Sequence, residues 1–219
     1  EFAAAAFRFG HSQVGASLQV GRLGAAGART VPLRDAFFVP EYLERHGLAA
    51  VIEGMVTTVA QEVDVHVVED LRSFLFDSGR AAGLDLFAMN VQRGRDHGLP
   101  SYLSASRQLG LPAGDCRAFD CLPFPGHVLA ALADLYATAE DIDIFVGGLL
   151  EPHVADGSVG PLFAEVIRIQ MHALCVGDRL WYARRLSLLQ GHDSSLMGLA
   201  AVIGRHAAPP PATFLMAGP

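Results

Sequence analysis

Apolar positions along this chain recur at helical spacing far more often than they alternate. "LAAVIEGMVTTVAQEV" (48–63), "VVEDLRSFLF" (67–76) and "HVLAALADLYAT" (127–138) each place apolar residues three and four positions apart, the signature of an amphipathic helix. "VGPLFAEVIRIQMHALCVGD" (159–178) predicts the longest helix, with Pro161 suited to its first turn. The alanine-rich start predicts a helix over 2–18, although no Ser, Thr, Asp or Asn stands ahead of it as a cap. Residue 1 is therefore expected to be a processing site or another imposed boundary. Residues 19–32, with Gly21, Gly24, Gly27 and Pro32, predict a loop, and "FVPEYLERHG" predicts a short helix ended by Gly47. "GLDLFAMNVQRGRDHGLPSY" (83–102) reads as a short apolar element running into a charged, glycine-broken turn. "DIDIFVGGLLEP" (141–152) is short, apolar and punctuated by two glycines and a proline. After Trp181 a weaker helix and the stiff coil "APPPA" are expected. With no convincing strand alternation and no internal repeat, the fold class is mainly α, with little or no β.

Composition sharpens this picture. The 219 residues fit one large domain or two small ones. They are 51% hydrophobic and 18% charged, against about 45–50% and about 25% in ordinary soluble domains. The excess implies an apolar face that meets a partner chain, a missing segment or a cofactor. It does not imply a membrane span: the most apolar stretch, 162–176, is broken by Glu165, Arg168, Gln170 and His172, well short of about 18 uninterrupted apolar residues. A net charge of −7 with no basic tract argues against nucleic acid. Cys116 and Cys121 stand close enough in sequence to bridge, leaving Cys175 over, and three cysteines fix neither the pairing nor the compartment. P-loop, dinucleotide-binding, HExxH and CxxC patterns are all missing from the sequence.

What remains as candidate chemistry begins with "AFRFGHSQV" (6–14). Residues three apart on a helix are neighbours, so Arg8 lies beside His11, with Phe7 and Val14 flanking that face. An imidazole in apolar surroundings can bind a haem iron axially, and a guanidinium one turn away can meet a propionate. The plainer reading is a histidine satisfied inside a core. A ligating histidine also needs an acceptor for its other N–H. Asn90, at the end of an apolar run, could supply one or could simply initiate a turn. Arg93 follows Asn90 by three residues as Arg8 precedes His11 by three, and Arg95, Asp96 and His97 form a charged cluster that also suits a salt-bridged loop.

Taken together and in order, "AFRFGHSQV", "TVPLRDAFF", "LDLFAMNVQRGRDHGLPSY", "DIDIFVGGLLEP" and "VGPLFAEVIRIQ…GDRLWY" resemble the animal-type haem peroxidase superfamily over nearly the whole chain. The resemblance implies the proximal-side helices of that fold. It implies haem b as cofactor, His11 as the proximal iron ligand, Asn90 as the residue whose side-chain oxygen accepts from that histidine, and Arg8 and Arg93 as partners of the propionates. It implies hydrogen peroxide as oxidant, with a halide, pseudohalide or phenolic substrate, and an extracellular or secretory-lumen location. The "RDHG", "DID…GG..EP" and "GDR.WY" segments correspond to scaffold; Leu180 stands where Phe is usual and Cys175 where a basic residue is common. The family's distal histidine and arginine, its calcium loop and its esterifying carboxylates precede the proximal helix. None is found here, and His46 and His66 come too late in the chain to stand in for them. The reading is thus a C-terminal, proximal part (1–219) of a peroxidase domain with no catalytic residue of its own, completed by a second chain or an N-terminal segment. A catalytically silent, peroxidase-derived structural or adhesion module is the alternative, and an unrelated helical domain the third.

Overall fold

Gly21, Gly24 and Gly27 all adopt positive φ, and they turn the chain back on itself where the hydrophobic pattern shows only a loop. The result is an antiparallel hairpin of β1 (Ser17–Val20) and β2 (Arg29–Pro32), in register from Ser17 opposite Pro32 to Val20 opposite Arg29. The computed structural model describes residues 1–22, 24–37, 39–75, 83–181 and 203. The expected tail elements after Trp181 lie outside the described residues. The chain divides into two compact units, residues 15–60 with 176–219 and residues 1–14 with 61–175.

The first of these carries the hairpin, α1 (Leu33–Ala36), α2 (Glu41–His46) and α3 (Leu48–Val56). Gly47, at φ 78°, ends α2 as its sequence predicts. Helix α3 lies flat on the hairpin: a Cβ on Gly54 would stand 2.0 Å from the Gln19 carbonyl oxygen, so only glycine fits. The hairpin also removes the predicted helix over 2–18. Turns span 2–5, one 3₁₀ helix covers Ala6–His11, and from Ser17 the backbone is committed to strand pairing. Alanine's helix preference is worth only tenths of a kcal/mol per residue, roughly, and ladder hydrogen bonds override it.

The second unit holds α4 (Glu69–Arg72), α5 (Leu86–Asp96), α6 (Tyr102–Gln108), α7 (Gly126–Leu135), α8 (Ile144–Leu150) and α9 (Pro161–Gly177) as far as Cys175. Its core is built around Tyr102, Leu103, Ile142, Phe145, Leu162 and Phe163, all buried. Helix α8 is central, packed against α5, α6 and the Ala6–His11 turn. Its two glycines make this possible: a Cβ on Gly147 would lie 2.2 Å from the Tyr102 ring, and one on Gly148 2.2 Å from the Phe163 ring. The expected glycine-broken turn after residue 83 is instead a continuous helix. Asp85 caps α5 by accepting the Ala88 N–H at 3.0 Å, and Gly94 faces inward within the helix without breaking it. Among its described residues the apolar 67–76 stretch yields the four residues of α4, with Asp70 buried. Phe7, Ile169, Leu174 and Val176 remain exposed, which is where part of the excess apolar content resides. Among the described residues no helix is long and apolar enough to cross a membrane.

Candidate functional site

The first turn of the chain and α5 meet through side chains 79 and 82 positions apart in sequence. Ala5 and Ala6 are fully buried and fix the 3₁₀ turn against the core. Just past the turn, the buried Ser12 hydroxyl donates to the Phe9 carbonyl (2.8 Å) and accepts from the Asp64 N–H (3.3 Å). The Gln61 N–H reaches the Gln13 carbonyl at 3.0 Å. These bonds anchor the backbone on the C-terminal side of His11. On α5, Phe87, Asn90, Val91 and Gly94 share the inward face, and the Phe87 ring packs tilted against Phe145 of α8, with centroids 5.3 Å apart. Asn90 has no exposed surface. A fully buried amide needs partners for both its ends.

It finds them in the two residues that the sequence pairs with it. Arg8 Nη1 donates to Asn90 Oδ1 at 2.6 Å, and Asn90 Nδ2 faces His11 Nδ1 at 2.9 Å. Arg8 Nε is held in turn by the Ala3 carbonyl at 3.1 Å. Arg8, Asn90 and His11 thus form one chain of hydrogen bonds. Its polarity differs from the one the resemblance implies. A guanidinium can only donate, so it takes the amide oxygen and leaves the amide nitrogen for the ring. Nδ1 of His11 is then an acceptor, and the ring proton sits on Nε2. Burial first, and then the Arg8 cation, hold His11 below its ordinary pKa, so the ring is neutral.

Arg93, one turn beyond Asn90, is exposed, and its charge lowers the pKa of Arg8, an effect second to that of burial. Neither Arg8 nor Arg93 has a carboxylate partner among the described residues. Two neighbouring guanidiniums without counter-ions, beside a half-buried neutral imidazole whose Nε2 has no protein partner among those residues, form a donor set that fits an anionic metalloporphyrin. Such an iron needs one protein ligand on this side. Among the described residues there is no group of three or more His, Cys, Asp or Glu side chains that could hold a metal ion on its own.

The neighbouring charged motif resolves into scaffold. Arg95 Nε and Nη2 grip Asp143 at 2.9 and 2.7 Å, and the Tyr136 hydroxyl donates to the same carboxylate at 2.9 Å. Asp96 accepts from Gln92 at 2.7 Å. The sequence marked Asp143 as part of a scaffold segment but gave it no partner, and Tyr136 went unremarked, because nothing local links residues 95, 136 and 143. Glu151, in the same scaffold segment, gains its role only from the fold: it is buried, accepting from the Tyr102 hydroxyl at 2.9 Å and from the Leu162 N–H at 2.7 Å.

Residues 1–206 match the family model described as animal haem peroxidase. The chain is 34% identical to peroxinectin A of Dictyostelium discoideum over 205 residues, covering 94% of this chain and 38% of that protein. It is 38% identical to the thyroid peroxidase of Canis lupus familiaris over 189 residues, covering 83% of this chain and 20% of that protein. The structure of peroxidase A from Dictyostelium discoideum superposes with a TM-score of 0.76 at 32% identity, over 95% of this chain and 38% of the other. A fatty acid alpha-dioxygenase of Oryza sativa shares the fold, with a TM-score of 0.76 at 17% identity.

Proposed function

The chain belongs to the animal haem peroxidase family, and from that premise we propose that it supplies the proximal side of a haem peroxidase site, with His11 the iron ligand. One observation carries the reading: His11, Asn90 and Arg8 are joined by side-chain hydrogen bonds across some 80 residues of chain, with Arg93, which has no carboxylate partner among the described residues, beside them. When bound, the haem would supply the peroxide-driven oxidation chemistry of halide, pseudohalide or phenolic substrates. The residues of this chain hold and orient. His11 presents a neutral ring nitrogen, and Arg8 and Arg93 offer donors to two carboxylates. Ligation through Nε2 needs the ring proton on Nδ1, and then Asn90 must present its oxygen. Arg8 must release that oxygen, so engagement of its guanidinium by an anion and the turning of the Asn90 amide are coupled steps. A neutral amide oxygen pulls less on the ring proton than a carboxylate, which leaves His11 a donor of intermediate strength. Proton transfer to and from peroxide, calcium binding and substrate access belong, in this proposal, to a partner chain or a preceding segment. An extracellular or lumenal site of action is part of the same reading.

A catalytically silent module is the competing reading, and one observation favours it: Arg8 and His11 already satisfy both ends of the buried Asn90 amide. Haem titration of the full chain separates the two. Ferric haem is expected to bind with a Soret band and a histidine-ligated electron paramagnetic spectrum, both lost in His11→Ala and kept in His66→Ala. A normal spectrum in the His11 variant refutes the ligand assignment, and no binding by the wild-type chain favours the silent module.

A further inference from the structure

The loop between α6 and α7 holds two thiols that the haem site does not use. It runs through 3₁₀ turns at Pro112–Asp115 and Phe119–Cys121, with Cys116 between them. Cys116 is buried among the core residues, whereas Cys121 is exposed. The Cys116 Sγ donates to the Cys121 carbonyl oxygen at 2.8 Å, which brings this thiol against the Cys121 residue itself, and the Cys121 Sγ donates to the Ala118 carbonyl oxygen at 3.1 Å. The loop is braced so that the pair stays together. Arg117 Nη1 donates to the Gly114 and Cys116 carbonyls at 2.8 and 2.6 Å, and Gly114 packs directly on the Arg107 backbone. The Phe124 ring, three residues beyond, rests on Tyr102 at 5.6 Å.

The two sulfurs differ in chemistry. Burial, then contact with Cys121, pushes the Cys116 thiol up to about 11. Burial acts to raise Cys121 as well, but its interactions with Cys116 and with the Ala118 and Arg117 backbone outweigh it and hold this thiol below its ordinary value. An exposed sulfur of lowered pKa beside a second thiol is the arrangement of a peroxide-responsive pair, because the thiolate is the nucleophile and the neighbour resolves its oxidation product.

We propose that Cys116 and Cys121 form a reversible dithiol–disulfide pair, in which Cys121 meets a hydroperoxide and Cys116 closes the bridge. The Cys121 thiolate attacks one oxygen of hydrogen peroxide. The O–O bond breaks, an S–OH forms, and the second oxygen leaves as hydroxide and takes a proton to become water. The Cys116 sulfur then attacks the Cys121 sulfur, the S–O bond breaks, and the departing oxygen takes up the Cys116 proton as a second water. Two thiols have lost two electrons and two protons, and one peroxide has become two waters. Exchange with a small dithiol returns both sulfurs to the reduced state. Closure ties together residues 116–121 and so stiffens the loop that seats Leu122 and Phe124 in the core.

The test uses the full chain with no haem added, so its outcome is independent of the proposed haem site. Brief exposure to hydrogen peroxide, followed by non-reducing peptide mapping, is expected to give a 116–121 linked peptide lighter by two hydrogens, restored by dithiothreitol. Cys116→Ser should accumulate Cys121 sulfenic acid, captured by dimedone several-fold more than in wild type. In Cys121→Ser, Cys116 should remain unmodified over the same interval. Circular dichroism of both variants and of Cys175→Ser confirms folding. The proposal is overturned if wild type keeps both thiols, if Cys121 bridges to Cys175 or to a second molecule, or if Cys116→Ser traps no more dimedone than wild type.

Discussion

Removing the Glu151 side chain tests how the core behind the candidate site is held. The residue is only 4% exposed, yet its carboxylate satisfies two donors: the hydroxyl of the fully buried Tyr102 and the N–H of Leu162, also fully buried. The second is one of the four N–H groups that α9 cannot pair within its own first turn. Glu151→Ala strands both, and a buried donor left unsatisfied costs about 1–3 kcal/mol. The expected loss is therefore about 2–6 kcal/mol. Glu151→Gln keeps an oxygen for Leu162 and can donate to the Tyr102 oxygen, so most of that loss is recovered. The pH dependence separates charge from hydrogen bonding. Burial raises the Glu151 carboxyl above its ordinary 4.5, the two hydrogen bonds opposing it without prevailing. A raised folded-state pKa means that the residue's contribution is fully present below the unfolded value and is lost as pH rises through the folded value. The glutamine variant has no charge to bury, so wild type should lose stability relative to Glu151→Gln as pH climbs through that window. Urea unfolding followed by far-UV circular dichroism across pH 4 to 8 reads both effects. An alanine variant within about 0.5 kcal/mol of wild type would refute the hydrogen-bond accounting, and a wild-type-minus-glutamine difference that is flat with pH would refute the charge argument.

The same structure makes three further commitments. Gly148→Ala drives a Cβ to 2.2 Å from the buried Phe163 ring, and overpacking of this kind costs about 1–3 kcal/mol or more, visible as a lowered thermal midpoint; an unchanged midpoint would mean that α8 is not the fixed centre of its unit. Asp143→Asn removes the carboxylate that, after burial, holds the Tyr136 phenol up to about 12, so tyrosinate absorbance should rise at lower pH than in wild type; an unmoved titration would break the Arg95–Asp143–Tyr136 link. Asn90→Asp, in haem-loaded protein, should shift the iron reduction potential downward by strengthening the ring's donor character, and an unchanged potential would remove Asn90 from contact with the ligand.

How far such effects could be read without coordinates depended on whether their cause was local. Helix α9 and the end of α2 at Gly47 follow from periodicity and from a single glycine at positive φ, and both stand as predicted. The hairpin was hidden because its strands are only four residues each and its stability lies in pairing and in the close seat of Gly54, neither of which leaves an alternating pattern. Helix α5 was misread for the opposite reason: Gly94 looks like a breaker in one dimension, but it is buried within a continuous helix and faces Leu99. At the candidate site the neighbourhood of Arg8 with His11, and of Asn90 with Arg93, was legible, since each pair is spaced by three on its own element; that the two pairs meet came only with the resemblance. The direction of the hydrogen bonds between the pairs was not legible. That direction is decided by a donor-only guanidinium competing with an imidazole for one amide oxygen, a contest that exists only once the first turn and α5 are packed side by side. On the proposed assignment of His11 as ligand, its ligating form is not set by its own helix. It would be set by whether Arg8 has something better to hold than Asn90, so the anion that engages Arg8 and the ring nitrogen that faces a metal would be chosen together.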